Sequence, residues 1–229
     1  MVRVKRKMKK LIKKVIVSLF VATVVLLGIC ITLSYCVKED NIFRVFKTTE
    51  KVEKPEIEKK FLTPNKYSRP EIALEEVKGI VVHYTGNPGS TAIGNRNYFE
   101  NLRIKKTTYA SSHFVVGLDG EIIQCLPLDE ISYASNERNV DTIAIETCHP
   151  DETGKFNEKT YQSLVHLTGW LCSRYQLTSE DVIRHYDITG KMCPLYFVEH
   201  EDAWQQFKLD VEIKIQEINQ WQQEKESET

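Results

Sequence analysis

The sequence predicts an α/β domain, a central sheet covered by helices, behind an amino-terminal membrane span. Three observations predict it. Short apolar runs rich in β-branched residues, at 77–84 and 142–146, read as buried strands. Segments near 158–175 and after 202 repeat apolar residues at three- and four-residue spacing, the period of a helix face. One early stretch, 15–37, carries no charge over a length that crosses a bilayer.

The 229 residues allow one domain with an ordinary core, or two small ones. Seven Pro and ten Gly exclude a collagen-like or wholly disordered chain. Lys+Arg (31) nearly balance Asp+Glu (32), but eight of the basic residues fall within the first 14 positions, which hold no acid. Setting those eight aside leaves 23 basic against 32 acidic residues, a net of −9. Phosphate binding needs a basic footprint, so the remainder is not a nucleic-acid binder.

Residues 15–37 (VIVSLFVATVVLLGICITLSYCV) form the span, because about 20 apolar residues cross a bilayer core as a helix. The basic segment 1–14 before it and Glu39 and Asp40 after it place the amino terminus in the cytoplasm. The alternative is a cleaved signal peptide, whose apolar core usually has only about 7–15 residues before a small-residue cleavage site. Tyr35 before Cys36 is bulky and makes a poor lipoprotein box. The expectation is therefore an uncleaved, single-pass signal-anchor in the cell membrane, with the folded domain extracellular. Residues 38–60 follow, with 13 of 23 charged in mixed sign; they cannot bury enough surface to fold and read as a stalk. Residues 61–76, with two prolines, read as an extended lead-in on the surface of a domain spanning 61–229.

Within that domain, 77–84 (VKGIVVHY) is a buried strand, 85–91 a turn and 95–103 a short helix. Residues 113–117 and 121–126 flank Asp119-Gly120, a hairpin signal between apolar runs. Residues 142–146 (TIAIE) are another buried strand, and 158–175 a helix with Tyr161, Leu164, Val165, Leu171 and Cys172 on one face. Residues 181–185 (DVIRH) are a short strand. The last helix starts near Asp202 with Trp204, Phe207, Val211, Ile215 and Ile218 as its stripe, and frays beyond about Gln216.

Three side chains have the chemistry of metal ligands. His83 ends the first buried strand, His185 ends the DVIRH segment, and Cys193 follows eight residues later. Two imidazoles and a thiolate make a tetrahedral zinc set with one position open, as in catalytic zinc; no Cys-x-x-Cys pair supports a closed structural site. The plainer alternative is a pair of satisfied strand-end histidines. Lys191, two residues before Cys193, can place an ammonium where an oxyanion develops, unless it is merely a solvated surface lysine. Glu146 shares a face with Thr142 and Ala144, opposite Ile143 and Ile145, and sits at the carboxyl end of its strand. There it is placed for general-base work, or simply caps a loop.

VVHYTGN, SSHFVVGLDGEIIQ, DTIAIETC and RHYDITGKMCP, in that order and spacing over about residues 75–200, resemble the zinc-dependent N-acetylmuramoyl-L-alanine amidases of the amidase-2 family. That family includes bacteriophage amidase-lysozymes, cytosolic anhydro-muropeptide amidases and animal peptidoglycan recognition proteins. The run His185–Lys191–Cys193 is the most specific part. The resemblance implies a central mixed sheet flanked by helices, with a groove for the glycan-peptide. It implies that His83, His185 and Cys193 hold Zn2+, that Lys191 stabilises the transition state, and that Glu146 assists the water. The bond cut would be the amide between N-acetylmuramic acid and L-alanine of the stem peptide. Phage and animal enzymes have a tyrosine where this chain has Ser112; other branches use a glutamate at the position of Glu146, and this chain follows them, with Tyr109 a more distant substitute base. The implied partner is peptidoglycan, and the expected state a membrane-anchored monomer. Tyr84, the loop 133–139 with Asn136, and His149 are candidate groove and substrate-binding residues. Rival readings are a non-catalytic peptidoglycan-binding module and a zinc peptidase cutting within the stem peptide. Cys125, Cys148 and Cys172 are an odd set once Cys193 is assigned to metal, and read as free buried thiols, with one disulfide among them the alternative. His113 reads as structural.

Overall fold

The computed structural model describes residues 54–228. The basic segment 1–14, the span 15–37 and most of the stalk 38–60 lie outside the described residues. None of the described helices is long and apolar enough to cross a membrane.

Six strands form one mixed sheet: β1 (Glu58–Lys59), β2 (Gly79–Val82), β3 (Phe114–Val116), β4 (Ile122–Gln124), β5 (Thr142–Thr147) and β6 (Val182–Arg184). Their order is β1-β4-β3-β5-β2-β6, and β3 with β4 is the one antiparallel pair. That pair is the hairpin expected around Asp119-Gly120, where Gly120 takes φ +84°, a conformation glycine adopts without a Cβ penalty. β1 falls inside the stretch read as stalk. Residues 58–59 pair in parallel with β4, and Ile57 packs on the core, so the folded unit begins several residues before 61. A two-residue strand among Lys and Glu has no composition signal; its backbone pairing with β4 and the packing of Ile57 hold it.

Among the described residues the α-helices are α1 (Ala92–Lys105), α2 (Glu158–Tyr175), α3 (His185–Thr189), α4 (Leu195–Glu199) and α5 (Glu201–Ser227). α1 starts three residues earlier than the pattern suggested because Thr91 caps it, its hydroxyl accepting the Gly94 N–H at 3.1 Å. α2 has the bounds that its periodicity predicts. α5 does not stop near Gln216 but continues to Ser227. Its polar end is supported locally, by Gln220 donating to Glu224 and by the Lys225 ammonium 4.1 Å from the Trp221 ring centre.

The two faces of the sheet have different covers. Ile80, Val82, Phe114, Ile143 and Ile145 point toward α2 and α5, and Tyr161 on α2 ties to α5 by donating to Asp210 at 2.6 Å. On the opposite face α1 sets Ala92, Phe99 and Leu102 against Val115 and Ile123. α1 lies over β3 and β4, and the odd-numbered residues of β2 share that face.

His113 is structural, as expected. Fully buried, it accepts the Ala144 N–H at Nδ1 (3.0 Å) and so donates from Nε2 to the Glu130 carbonyl (2.8 Å). Burial lowers its pKa from 6.5 to about 4. The unfolded chain therefore takes up this proton first, and the stability is complete above pH 6.5 and lost as the pH falls toward 4. The gap is worth roughly 3 kcal/mol. Urea unfolding of the full chain, with metal chelated, should show this loss between pH 7 and 4.5, and His113→Gln should flatten the slope. Equal slopes in both chains would remove His113 as its source.

Candidate active site

Strand register brings the site together. Val82 pairs with Ile145 on one side and Arg184 on the other. One residue further along each strand stand His83, Glu146 and His185, side by side on the face that α1 leaves open. Neighbouring strands lie about 4.8 Å apart, and the His83 and His185 ring centres are 4.8 Å apart, edge to face.

Cys193 reaches this point by a chain reversal. α3 lasts little more than one turn and ends at Gly190, whose φ of +76° lets its N–H bond back to the Tyr186 carbonyl at 2.8 Å. In the returning segment the Cys193 carbonyl accepts the Tyr186 N–H at 2.9 Å. Arg184 anchors the start of the turn. Its guanidinium is buried against Asp187, the Phe197 carbonyl and Glu201.

The three sequence-predicted ligand side chains converge. One donor atom each from His83, His185 and Cys193 lie within 4.8 Å of one another, and all three residues are buried. Cys193 Sγ is 3.8 Å from His83 Nδ1. Zn–S and Zn–N bonds of about 2.3 and 2.0 Å at a tetrahedral angle put sulfur and nitrogen about 3.5 Å apart, so the spacing suits a shared ion. His185 Nδ1 is buried with no hydrogen-bond partner. Burial holds His83 well below the ordinary imidazole range, with His185 and Lys191 acting the same way, so the ring is neutral as a ligand must be. His185 is lowered by burial and then by Lys191. Burial pushes the Cys193 thiol up to about 12, so its thiolate needs a cation against it. The donor set therefore fits zinc.

Glu146 and Lys191 share a cavity of about 350 Å³ with His83 and His185; Tyr109, Tyr133, Asn136 and Asn139 form part of its wall. Glu146 is half-buried, and its Oε2 is shielded from solvent without a hydrogen-bond partner. Burial raises its carboxyl to about 8, with the Lys191 charge opposing. The Lys191 backbone belongs to the exposed turn after Gly190, from which its side chain reaches the cavity.

The substrate-binding candidates divide. Asn136 lines the cavity and meets His185, Oδ1 to Nε2 at 3.1 Å. Tyr84 and His149 do not line it. Strand alternation sends Tyr84 to the face opposite His83, where it packs on the main core and against His149, ring centres 5.0 Å apart. His149 is buried with Nδ1 2.7 Å from the Asp151 carbonyl. The same alternation, applied one residue past His83, carries the information that Tyr84 turns away. Ser135, within the candidate loop 133–139 but not singled out from the sequence, contacts His83 Nε2 through its hydroxyl at 3.2 Å. Cys125, Cys148 and Cys172 are free and buried, each pushed up to about 12 by burial.

Residues 73–195 match the family described as N-acetylmuramoyl-L-alanine amidase. The N-acetylmuramoyl-L-alanine amidase CwlL of Bacillus licheniformis is 32% identical over 67% of this chain and 46% of its own length. The chain thus spans less than half of the curated relatives it matches. Among solved structures, the catalytic domain of XlyA is 29% identical with a TM-score of 0.58, covering 69% of this chain and 99% of that one. PlyL is 28% identical with a TM-score of 0.60, covering 69% and 98%. On the extent of the family match, more than half its length, the chain belongs to the N-acetylmuramoyl-L-alanine amidase family.

Proposed function

We propose that the chain is a zinc-dependent peptidoglycan hydrolase, cutting the amide between N-acetylmuramic acid and L-alanine of the stem peptide. The observation that carries this reading is the convergence of His83, His185 and Cys193 beside Glu146 and Lys191 in one cavity. Family membership and the names of the relatives supply the bond class. His83, His185 and Cys193 would hold the ion, and a zinc so held supplies Lewis acidity to the carbonyl and to water.

The remaining chemistry falls to the chain's own side chains. Glu146 takes a proton from the attacking water and returns it to the leaving amine of L-alanine. A carboxylate of raised basicity can do both near neutral pH. Lys191 sets its ammonium against the oxyanion that develops on the carbonyl. Burial of the donor cluster excludes bulk water, which strengthens both effects.

The anchoring is part of the same proposal. Residues 1–14 are cytoplasmic, 15–37 are an uncleaved signal-anchor, and the amidase domain works as a monomer on the wall side, where peptidoglycan lies. The charge-free length and the basic cluster before it support this reading.

The test is product analysis after incubating the full chain with purified cell walls. New amino-terminal alanine without new reducing sugar is expected. New reducing ends would make the protein a glycosidase, and fragments without amino-terminal L-alanine would make it a peptidase. Zinc and wall binding with no products would make it a binding module.

A further inference from the structure

Two adjacent residues of the loop that precedes β5 reach both imidazoles. Ser135 Oγ lies 3.2 Å from His83 Nε2, and Asn136 Oδ1 lies 3.1 Å from His185 Nε2. Both contacts are on the Nε2 side. On the other side, His83 Nδ1 faces Cys193 Sγ and His185 Nδ1 is buried without a partner. We propose that Ser135 and Asn136 act as one clamp on the Nε2 side: Asn136 holds hydrogen on Nε2 of His185, Ser135 accepts from Nε2 of His83 whose Nδ1 faces Cys193, and both Nδ1 lone pairs are presented to the metal.

A carboxamide oxygen only accepts, so against it Nε2 of His185 must donate. A neutral ring with hydrogen on Nε2 has its lone pair on Nδ1, which is the atom left bare beside the other two donors. The reverse tautomer would bury an unsatisfied N–H there, at a cost of about 1–3 kcal/mol. The loop is itself braced. Asn139 Oδ1 accepts the backbone N–H groups of Ala134 and Ser135 at 3.0 and 2.6 Å, which fixes where the clamp begins. Asn136 holds φ +52°, a left-handed conformation that asparagine tolerates better than most residues. Because Asn136 and Asn139 also line the cavity, substrate that presses on this wall touches the parts that orient the ligands. Ser135 and Asn136 are positioning residues; they act through the histidines.

The inference rests on the zinc reading above, and two measurements on the full chain keep the two apart. Nitrogen-15 NMR of the metal-free chain reads which ring nitrogen carries hydrogen, with hydrogen on Nε2 of both His83 and His185 expected. Zinc affinity, by competition with a chromophoric chelator, is read for substitutions chosen around the backbone. Asn136→Gly removes the acceptor at a position where glycine is free of strain, and should weaken zinc by about 10–100-fold. Asn136→Asp restores an acceptor and should return the affinity to within a few-fold of the unsubstituted chain. Ser135→Ala should weaken zinc through His83. Hydrogen on Nδ1 of either ring, unchanged affinity in Asn136→Gly, or equal loss in Asn136→Gly and Asn136→Asp would overturn the clamp. Failure of the unsubstituted chain to bind zinc would instead overturn the functional reading, whatever the tautomers.

Discussion

Replacing Cys193 with alanine is expected to abolish zinc binding and wall hydrolysis together. The sulfur is the anionic member of the donor set, and the two imidazoles beside it are held neutral by burial. Without it a divalent cation would meet two neutral donors in a buried pocket with no ligand of opposite charge, an arrangement that low dielectric penalises. The loss should exceed the roughly 10–100-fold that removal of a supporting contact costs. His83→Ala should behave alike, since it removes the ring at the centre of the cluster. The fold should survive Cys193→Ala, because the change trims one small side chain from the end of a reversal held by backbone bonds. Cys172→Ala gives the control: that thiol is also buried and free, but it lies on α2 in the core, and its loss should leave zinc content unchanged. Metal analysis by mass spectrometry and wall digestion are the readouts. Stoichiometric zinc in Cys193→Ala, or digestion without it, would dissolve the proposed metal centre.

What could be read from the sequence follows the length over which a pattern repeats. α2 runs for 18 residues and shows its apolar face several times, so its bounds are legible from spacing alone. β2 and β5 are legible because both are buried on two faces and therefore nearly all apolar. α3 and α4 have five residues each, too few for any period to show, and β1 has two. The end of α5 is the reverse case, since a polar composition was read as fraying although side-chain pairs along the helix sustain it. At the site, His83, Glu146 and His185 were legible as strand ends, while their adjacency depends on register, which no single strand encodes. Period-two alternation, applied once more past His83, turns Tyr84 to the opposite face. The loop 133–139 was legible as a groove candidate, but a serine in an irregular segment carries no pattern that singles it out, and its contact with His83 is what gives Ser135 a role.

Glu146→Gln should keep zinc and lose activity by about 10²–10⁴-fold, the range expected for loss of a positioned proton acceptor. Glu146 is not among the converging donor residues, so the ion should stay. Glutamine has the shape of glutamate, so the cavity wall and the β5 strand end should be unmoved, but an amide cannot take a proton from water. The effect should fall on kcat, with wall binding little changed, because Tyr109, Tyr133 and Asn136 still form the wall. Zinc content, wall binding and turnover measured on the same preparation separate these outcomes. Unchanged turnover would remove Glu146 from its role and turn attention to Tyr109, which lines the same cavity and is 55% exposed. Its ring stands edge-on to Tyr133 at 5.5 Å. Tyr109→Phe would then be the decisive variant: a fall in turnover there, with Glu146→Gln silent, would make the phenol the proton carrier.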